Sequence, residues 1–356
     1  MKILYLYSEL MGYQMPIFEE YVKNNSTEVY VIHWDKKKLT PYIPKQIKNV
    51  FYYNRSSFNK IILKEFIKNL KPDIVFISGW MDLGYLVAVR PLIKKGIPVV
   101  IGFDDIWFST IKQRIASLFF PMVKRFFFTH AWVTGPLQFE YAKKLGFHNN
   151  DIIYNLYCAD NKLFESAYEE SFYEKKKSYP HQFLFVGRFE NVKGVDLLIR
   201  AWDNILKNRK DWQLCLIGNG SLFNEISCNP NLKTVDFLQP EGLKEEIANS
   251  GCFILPSRFE PWALVLQEFS LAGLPILCTN VCGAASTFVI PDYNGYTFNS
   301  KSIKDLENAM LKIINLSDQK LIDMSAKSNF IGKRITPEIS AASFLSILEN
   351  KRVIRE

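Results

Sequence analysis

The chain has 356 residues, more than most single hydrophobic cores hold and enough for two α/β domains. It is 48% hydrophobic and 22% charged, which excludes a disordered chain, and its 15% aromatic content suits sugar-binding surfaces as well as cores. The formal net charge of +8 favours polyanions, phosphorylated substrates or anionic membrane surfaces without choosing among them.

MKILYLYSEL reads as a first strand rather than a signal peptide, because its apolar run is short and lacks a cleavage site. Through residue 155 short β-rich runs alternate with amphipathic stretches. The expected strands are Ile3–Tyr7, Val29–His33, Ile74–Ser78, Pro98–Gly102 and Ala131–Thr134. The expected helices are Pro16–Lys23, Phe58–Leu70, Leu83–Lys94, Ile111–Phe127 and Leu137–Leu145. Strands this apolar, separated by helices, imply a parallel sheet covered on both faces. Glu165–His181 is charged with little hydrophobic period and is expected to be a linker.

The alternation then restarts with strand Phe183–Val186, helix Gly194–Lys207, and strands Leu214–Ile217 and Lys233–Phe237. A helix near Leu243–Ser250 and strands Cys252–Leu255 and Ile276–Thr279 follow. Beyond Ser302 the chain reads as helical, and its last element, about Pro337–Glu349, has no strand left to pair with. The expected division is a first domain 1–165, a linker 166–181, a second domain 182–335, and a C-terminal helix 336–356 packing back towards the first. Two Rossmann-like halves place a cleft at their C-terminal strand ends, where such sheets bind ligands.

The six cysteines (Cys158, Cys215, Cys228, Cys252, Cys278, Cys282) form no C-x-x-C pair, and free thiols in a reducing cytoplasm are expected. No run has the length of a membrane span, since Leu118–Trp132 is interrupted by Lys124 and Arg125.

The densest chemical pattern is SRFEPWALVLQEFSLAGLP, Ser257–Pro275. Pro261 suits a first helical turn and Gly273 a helix stop. Such a start presents amides from about Trp262 to Leu264, and amides at the positive end of a helix dipole suit a phosphate. Glu260 and Glu268, with seven residues between them, accept hydrogen bonds from sugar hydroxyls. Together these groups point to a nucleotide sugar.

Upstream, FLFVGRFENVKGVDLL sets Arg188 directly after a strand and Lys193 at the start of the next helix. Taken singly, both read as ordinary loop and helix-start charges. Beside the two glutamates they suit a leaving nucleoside diphosphate. Each charge-assisted hydrogen bond is worth about 1.5–3 kcal/mol, against at most about 2 from a helix dipole. No Asp-x-Asp triplet occurs and Asp104-Asp105 is an adjacent pair, so neither a metal nor a cofactor is expected. His33, His130, His148 and His181 are scattered, without a metal or triad context. No G-x-G-x-x-G follows the first strand, which argues against a dehydrogenase.

Taken in order, Gly187-Arg188, Lys193-Gly194, Gly218-Asn219-Gly220, Ser257 to Glu268, Ala272-Gly273-Leu274-Pro275 and Asn294-Gly295 resemble the retaining GT-B glycosyltransferases of glycosyltransferase family 4. The resemblance implies an α/β GT-B fold, two Rossmann-like domains with parallel sheets facing across a central cleft. It implies that Arg188 and Lys193 bind the donor diphosphate, that Glu260 contacts the donor sugar and that Glu268 takes the ribose hydroxyls. The amides of Ala263, Leu264 and Val265 would hold the distal phosphate. Gly187 would join the donor site, and the Gly218–Asn219–Gly220 turn and the Val235–Leu238 strand end, with Phe237 and Leu238, would border the nucleotide base.

The N-terminal half matches only in outline. Gly12 stands where members carry a Gly-Gly pair; it is either a close approach to the diphosphate or a simple turn glycine. Asp104 stands where many members have a histidine, so Asp104 or Asp105 is expected to bind a sugar or acceptor hydroxyl. Asn155–Asp160 resembles the family's Asn-Gly-Val-Asp linker signature without its glycine.

The expected activity is transfer of a sugar from a nucleoside-diphosphate sugar, as co-substrate, to a hydroxyl of a glycan or lipid-linked acceptor. The resemblance implies retention of configuration and a place in bacterial envelope polysaccharide or lipopolysaccharide synthesis. The expected location is the cytoplasm, with peripheral contact to the anionic inner face of the membrane and no nucleic-acid partner. Arg114–Phe128 reads either as that lipid-facing helix or as a core helix. Alternative readings are a GT-B nucleotide-sugar epimerase or hydrolase, and a non-catalytic GT-B partner subunit.

Overall fold

The computed structural model describes residues 1–36, 42–207, 211–227 and 232–353, so the expectation for Cys228 lies outside the described residues. The chain divides into two compact units, Met1–Cys158 with Ile335–Glu356, and Ala159–Arg334.

The first unit holds strands β1 (Lys2–Tyr7), β2 (Glu28–His33), β3 (Val50–Asn54), β4 (Ile74–Ile77), β5 (Val99–Phe103), β6 (His130–Val133) and β7 (Ile152–Ile153). They form one parallel sheet in the order β3-β2-β1-β4-β5-β6-β7. Alternation along each strand feeds two cores. Leu4, Leu6, Val75, Ile77, Ile101 and Val133 join Leu63, Ile67, Val89 and Leu92 from the helices Lys60–Leu70 and Leu83–Lys94. On the other face Tyr5, Phe76 and Trp132 pack around Phe344 of the C-terminal helix Pro337–Val353, with ring centroids 5.9, 6.2 and 4.9 Å from it. Gly102 makes room there, since a Cβ on it would stand 2.4 Å from the Phe76 ring.

The second unit holds β8 (Gln182–Val186), β9 (Gln213–Ile217), β10 (Lys233–Val235), β11 (Cys252–Leu255), β12 (Ile276–Thr279) and β13 (Gly295–Phe298). This sheet is also parallel, in the order β10-β9-β8-β11-β12-β13. Strand order reverses between β1 and β4 in the first sheet and between β8 and β11 in the second. Such switch points open a crevice at the carboxyl ends of the strands.

The proposed linker is a correction. Asn161–Lys177 is one helix inside the second unit, so most of 166–181 links nothing, and the chain passes between units at Cys158–Ala159 and at Arg334–Ile335. Its inward stripe is Phe164, Ala167, Ser171 and Lys175, which hides a helical period behind small and charged residues. The Lys175 ammonium donates to the Ile247 and Ser250 carbonyls at 2.7 and 2.8 Å, and burial lowers its pKa to about 7. No helix among the described residues is long and apolar enough to cross a membrane.

Candidate functional site

In the second unit β8 and β11 are hydrogen-bonded neighbours, so the loops that follow them emerge side by side. The β8 loop runs through Gly187 and Arg188 into a 3₁₀ turn, Asn191–Lys193, then Gly194 and the helix Val195–Leu206. Gly194 has φ 71°, and a Cβ there would lie 2.0 Å from the Pro256 carbonyl oxygen. Glycine is therefore required twice over, for the left-handed turn and for the close approach to the β11 loop. That approach brings the Lys193 ammonium onto the Glu260 carboxylate as a partly buried ion pair. The Ser257 hydroxyl donates to the same carboxylate oxygen at 3.2 Å.

The start of the following helix is a second correction. The helix spans Val265–Leu271, with Leu264 as its N-cap, and Pro261 lies outside it. Glu260 instead forms an isolated parallel bridge with Cys282, and its carbonyl accepts from the Gly283 amide at 3.2 Å. Ala263 adopts φ 80°, a left-handed turn that no glycine announces. The amides of Leu266, Gln267 and Glu268 are engaged by the carbonyls of Ala263 and Leu264. The expected phosphate amides of Ala263, Leu264 and Val265 stand just ahead of them.

Glu268 sits in the first turn of this helix. Burial, reinforced by the Asp160 carboxylate, pushes its pKa up to about 7.

Arg188 is exposed and makes no ion pair among the described residues. Beside it the β9 loop is drawn in by its glycines. Gly218 (φ 147°) and Gly220 (φ 156°) leave no room for a Cβ, which would stand 1.9 Å from the Gly187 oxygen and 2.7 Å from the Phe189 oxygen. The Asn219 side chain bonds Asp236 at 2.8 Å, and the Phe189 amide donates to the Asn219 carbonyl at 2.9 Å. β10 ends at Val235, two residues before the expected Phe237, so Phe237 and Leu238 lie in the loop beyond it. Phe237 is half exposed. Phe237 with Leu238, Asn219, Arg188 and Glu260 thus follow four adjacent strands along one sheet edge.

Gly12 and Asp104 belong to the first unit. Gly12 opens a 3₁₀ turn without a positive φ, and a Cβ there would meet the Tyr42 ring at an ordinary 3.5 Å. Neither strain nor crowding demands glycine at that position. Asp104 follows β5, is partly buried, and its carbonyl accepts from the Gln138 side chain at 2.9 Å.

Sequence reasoning missed two arrangements. The first is a set of tyrosines, Tyr7, Tyr13 and Tyr157, linked by hydrogen bonds and raised in pKa by burial and, in smaller part, by the Asp104 charge. Gln14 donates to the Tyr7 hydroxyl at 2.5 Å. The second is the ion pair of Arg258 with Asp196. No spacing rule links either set, because each is assembled from elements far apart in the sequence.

Residues 168–328 match the family model of the glycosyl transferases group 1. The chain is 32% identical over 139 residues to an uncharacterized glycosyltransferase of Methanocaldococcus jannaschii, covering 37% of this chain and 38% of that protein. It is 27% identical over 156 residues to the UDP-Gal:alpha-D-GlcNAc-diphosphoundecaprenol alpha-1,3-galactosyltransferase of Escherichia coli, covering 41% of this chain and 39% of that one. The chain thus spans less than half the length of these curated relatives. A solved structure of Anabaena HepE in complex with UDP and glucose superimposes with a TM-score of 0.71, at 15% identity, over 99% of this chain and 100% of the other. The fold is that of the GT-B glycosyltransferases, and the loops that set Lys193 against Glu260 lie inside the stretch that matches the group 1 family model.

Proposed function

We propose that the protein transfers a sugar from a nucleoside-diphosphate sugar to a hydroxyl of a glycan or lipid-linked acceptor, with retention of configuration. The observation that carries this reading is the Lys193–Glu260 pair at the β8/β11 switch point, with Arg188, exposed and in no ion pair among the described residues, on the same β8 loop. In the donor complex the diphosphate takes Lys193 and Arg188, and Glu260 turns its freed acceptor oxygens to the sugar hydroxyls. The two cations then stabilise the charge that develops on the leaving phosphate. Glu268 accepts from the ribose, the amides of Ala263 to Val265 meet the distal phosphate, and Phe237 borders the base. Asp104 binds a sugar or acceptor hydroxyl in place of a histidine.

No carboxylate in this set is committed as a glycosyl nucleophile, so retention calls for a front-face route in which the leaving phosphate assists the incoming hydroxyl. The galactosyltransferase relative, whose acceptor is a diphosphoundecaprenol-linked sugar, and the UDP and glucose held by HepE favour a UDP-sugar donor and a lipid-linked acceptor. Such an acceptor fits synthesis of envelope polysaccharide at a membrane surface.

The test is incubation with UDP- and GDP-sugars and lipid-linked saccharide acceptors, with products resolved by mass spectrometry. An acceptor heavier by one sugar, with the anomeric configuration of the donor, is the expected result. Release of free sugar alone, or an epimerised donor without extension, would replace transfer with hydrolysis or epimerisation.

A further inference from the structure

The helix Ile111–Lys124 in the first unit departs from the ordinary pattern of a surface helix. It is started by Thr110, whose hydroxyl accepts from the Gln113 amide at 3.2 Å, while the Gln113 side chain reaches back to the Thr110 amide. Ala116 and Phe120 face inward and pack on the core of the unit. The outward face should then be polar, but it is not. Ile111, Ile115, Leu118, Phe119 and Met122 are 78, 54, 69, 58 and 66% exposed. At 3.6 residues per turn these five fall within about 100° of arc, one continuous apolar stripe.

The charges bordering the stripe have one sign. On the same helical projection Arg114 and Arg125 flank one edge and Lys112 the other. From Ile106 to Phe139 there is no aspartate or glutamate, and the neighbouring helix Leu83–Lys94 has none either. That helix adds exposed Leu83 and Val87, 72 and 43% accessible, and the exposed cations Arg90 and Lys94. Phe126 joins the two elements, with the Arg90 guanidinium 5.4 Å and the Arg125 guanidinium 4.9 Å from its ring centroid. The two helices thus show water large apolar side chains, and the charged residues they carry are all positive.

Exposed apolar patches of this kind mark interaction surfaces. We propose that this face docks on an anionic lipid bilayer, with the Ile111–Met122 stripe entering the acyl boundary and the bordering arginines and lysines meeting lipid phosphates. Charge complementarity selects this occupant. A second copy of the chain would bring the same cations against themselves, whereas an anionic leaflet attracts every one of them. The amphipathic layout, apolar centre and cationic margins, is the one that lies flat in a membrane interface. The proposal concerns the first unit alone and does not depend on the donor chemistry of the second.

The test is flotation of the full chain with vesicles of equal parts phosphatidylglycerol and phosphatidylcholine, beside pure phosphatidylcholine vesicles, at low and high salt. The chain is expected to float with the anionic vesicles, less so in high salt, and to stay behind with the neutral ones. Leu118→Ser combined with Met122→Ser should lower vesicle partition by at least about tenfold. Arg114→Glu combined with Arg125→Glu should do the same, and thermal melting of each variant reports that the fold is kept. Phe330→Ser, an exposed apolar residue of the second unit (66%), should leave partition unchanged. Absence of flotation by the folded parent chain would overturn the proposal, as would flotation indifferent to both double variants. A concentration-dependent dimer abolished by Leu118→Ser with Met122→Ser, without vesicle binding, would assign the face to a second copy instead.

Discussion

Arg258 and Asp196 meet in a two-pronged ion pair, Nη1 to Oδ1 and Nη2 to Oδ2, both at 2.6 Å. The same guanidinium donates to the Asn191 carbonyl, so one side chain ties the β11 loop to both the 3₁₀ turn and the helix that follow β8. Glu260 is two residues beyond Arg258, and Lys193 is three before Asp196. We expect Arg258 to act as a positioning residue for that pair. Arg258→Ala should lower kcat more than it raises KM for the donor, with a loss of about 1–3 kcal/mol in stability. Arg258→Lys keeps the charge but not the planar fork and should restore stability better than turnover. Equal recovery of both by lysine would reduce the pair to a simple fold contact.

Glycine substitutions separate two kinds of turn. Gly194→Ala meets the Pro256 carbonyl at 2.0 Å in a left-handed backbone. The conformation alone costs about 1–2 kcal/mol, and the clash adds to it. A loss of at least about 2 kcal/mol is expected in urea unfolding, accompanied by weaker binding of UDP. Gly12→Ala meets only the Tyr42 ring at 3.5 Å and should leave stability within about 0.5 kcal/mol of the parent. Its effect on donor affinity then decides between the two readings of Gly12. Affinity lost at unchanged stability means that the backbone approaches the diphosphate, and unchanged affinity makes it a turn residue.

Removing either cation tests the chemistry proposed for them. Arg188 is exposed and holds no carboxylate among the described residues, so Arg188→Ala should cost almost nothing in stability. Its kcat should nonetheless fall by about 10²–10³, the effect of losing one preorganised donor to a developing anion. Lys193→Ala should show a similar fall and also a modest loss of stability, because it leaves the Glu260 carboxylate without its cation. Steady-state kinetics beside thermal melting check both; near-normal turnover in the two variants would remove the proposed function.

Most of the strands were legible because they are unbroken apolar runs. β1, β4, β5 and β6 lie within one residue of their expected bounds at each end. β3 was not, since Phe51 and the residues after it are partly exposed on an edge, and neither were β7, with its two residues, and β13, which begins at a glycine. The helix Asn161–Lys177 was read as a linker because Ser171 and Lys175 occupy inward positions that a hydrophobic period requires to be apolar. In the candidate site, the charged and glycine residues of the β8 and β11 loops stood out in the sequence, but their pairing did not. Lys193 reaches Glu260 because β8 neighbours β11, and Arg258 reaches Asp196 for the same reason. The helix start was misplaced because Ala263 makes a left-handed turn that propensity assigns to glycine or asparagine.

Glu268 predicts a specific pH dependence. Its folded pKa of about 7 lies above the value of about 4.3 for an unfolded glutamate, so the folded chain holds an extra proton between those values. Stability from this group is therefore full below the window and is lost as pH rises through it. Glu268→Gln keeps the shape and removes the titration. In urea unfolding it should gain on the parent between about pH 5 and 7, with a constant difference above. UDP affinity of the parent should rise across the same window, because the ionised carboxylate offers every lone pair to the ribose hydroxyls. The glutamine variant should show a flat affinity profile. A parent chain whose affinity is equally flat would take the ribose away from Glu268 and leave it a partly buried acid of the helix start.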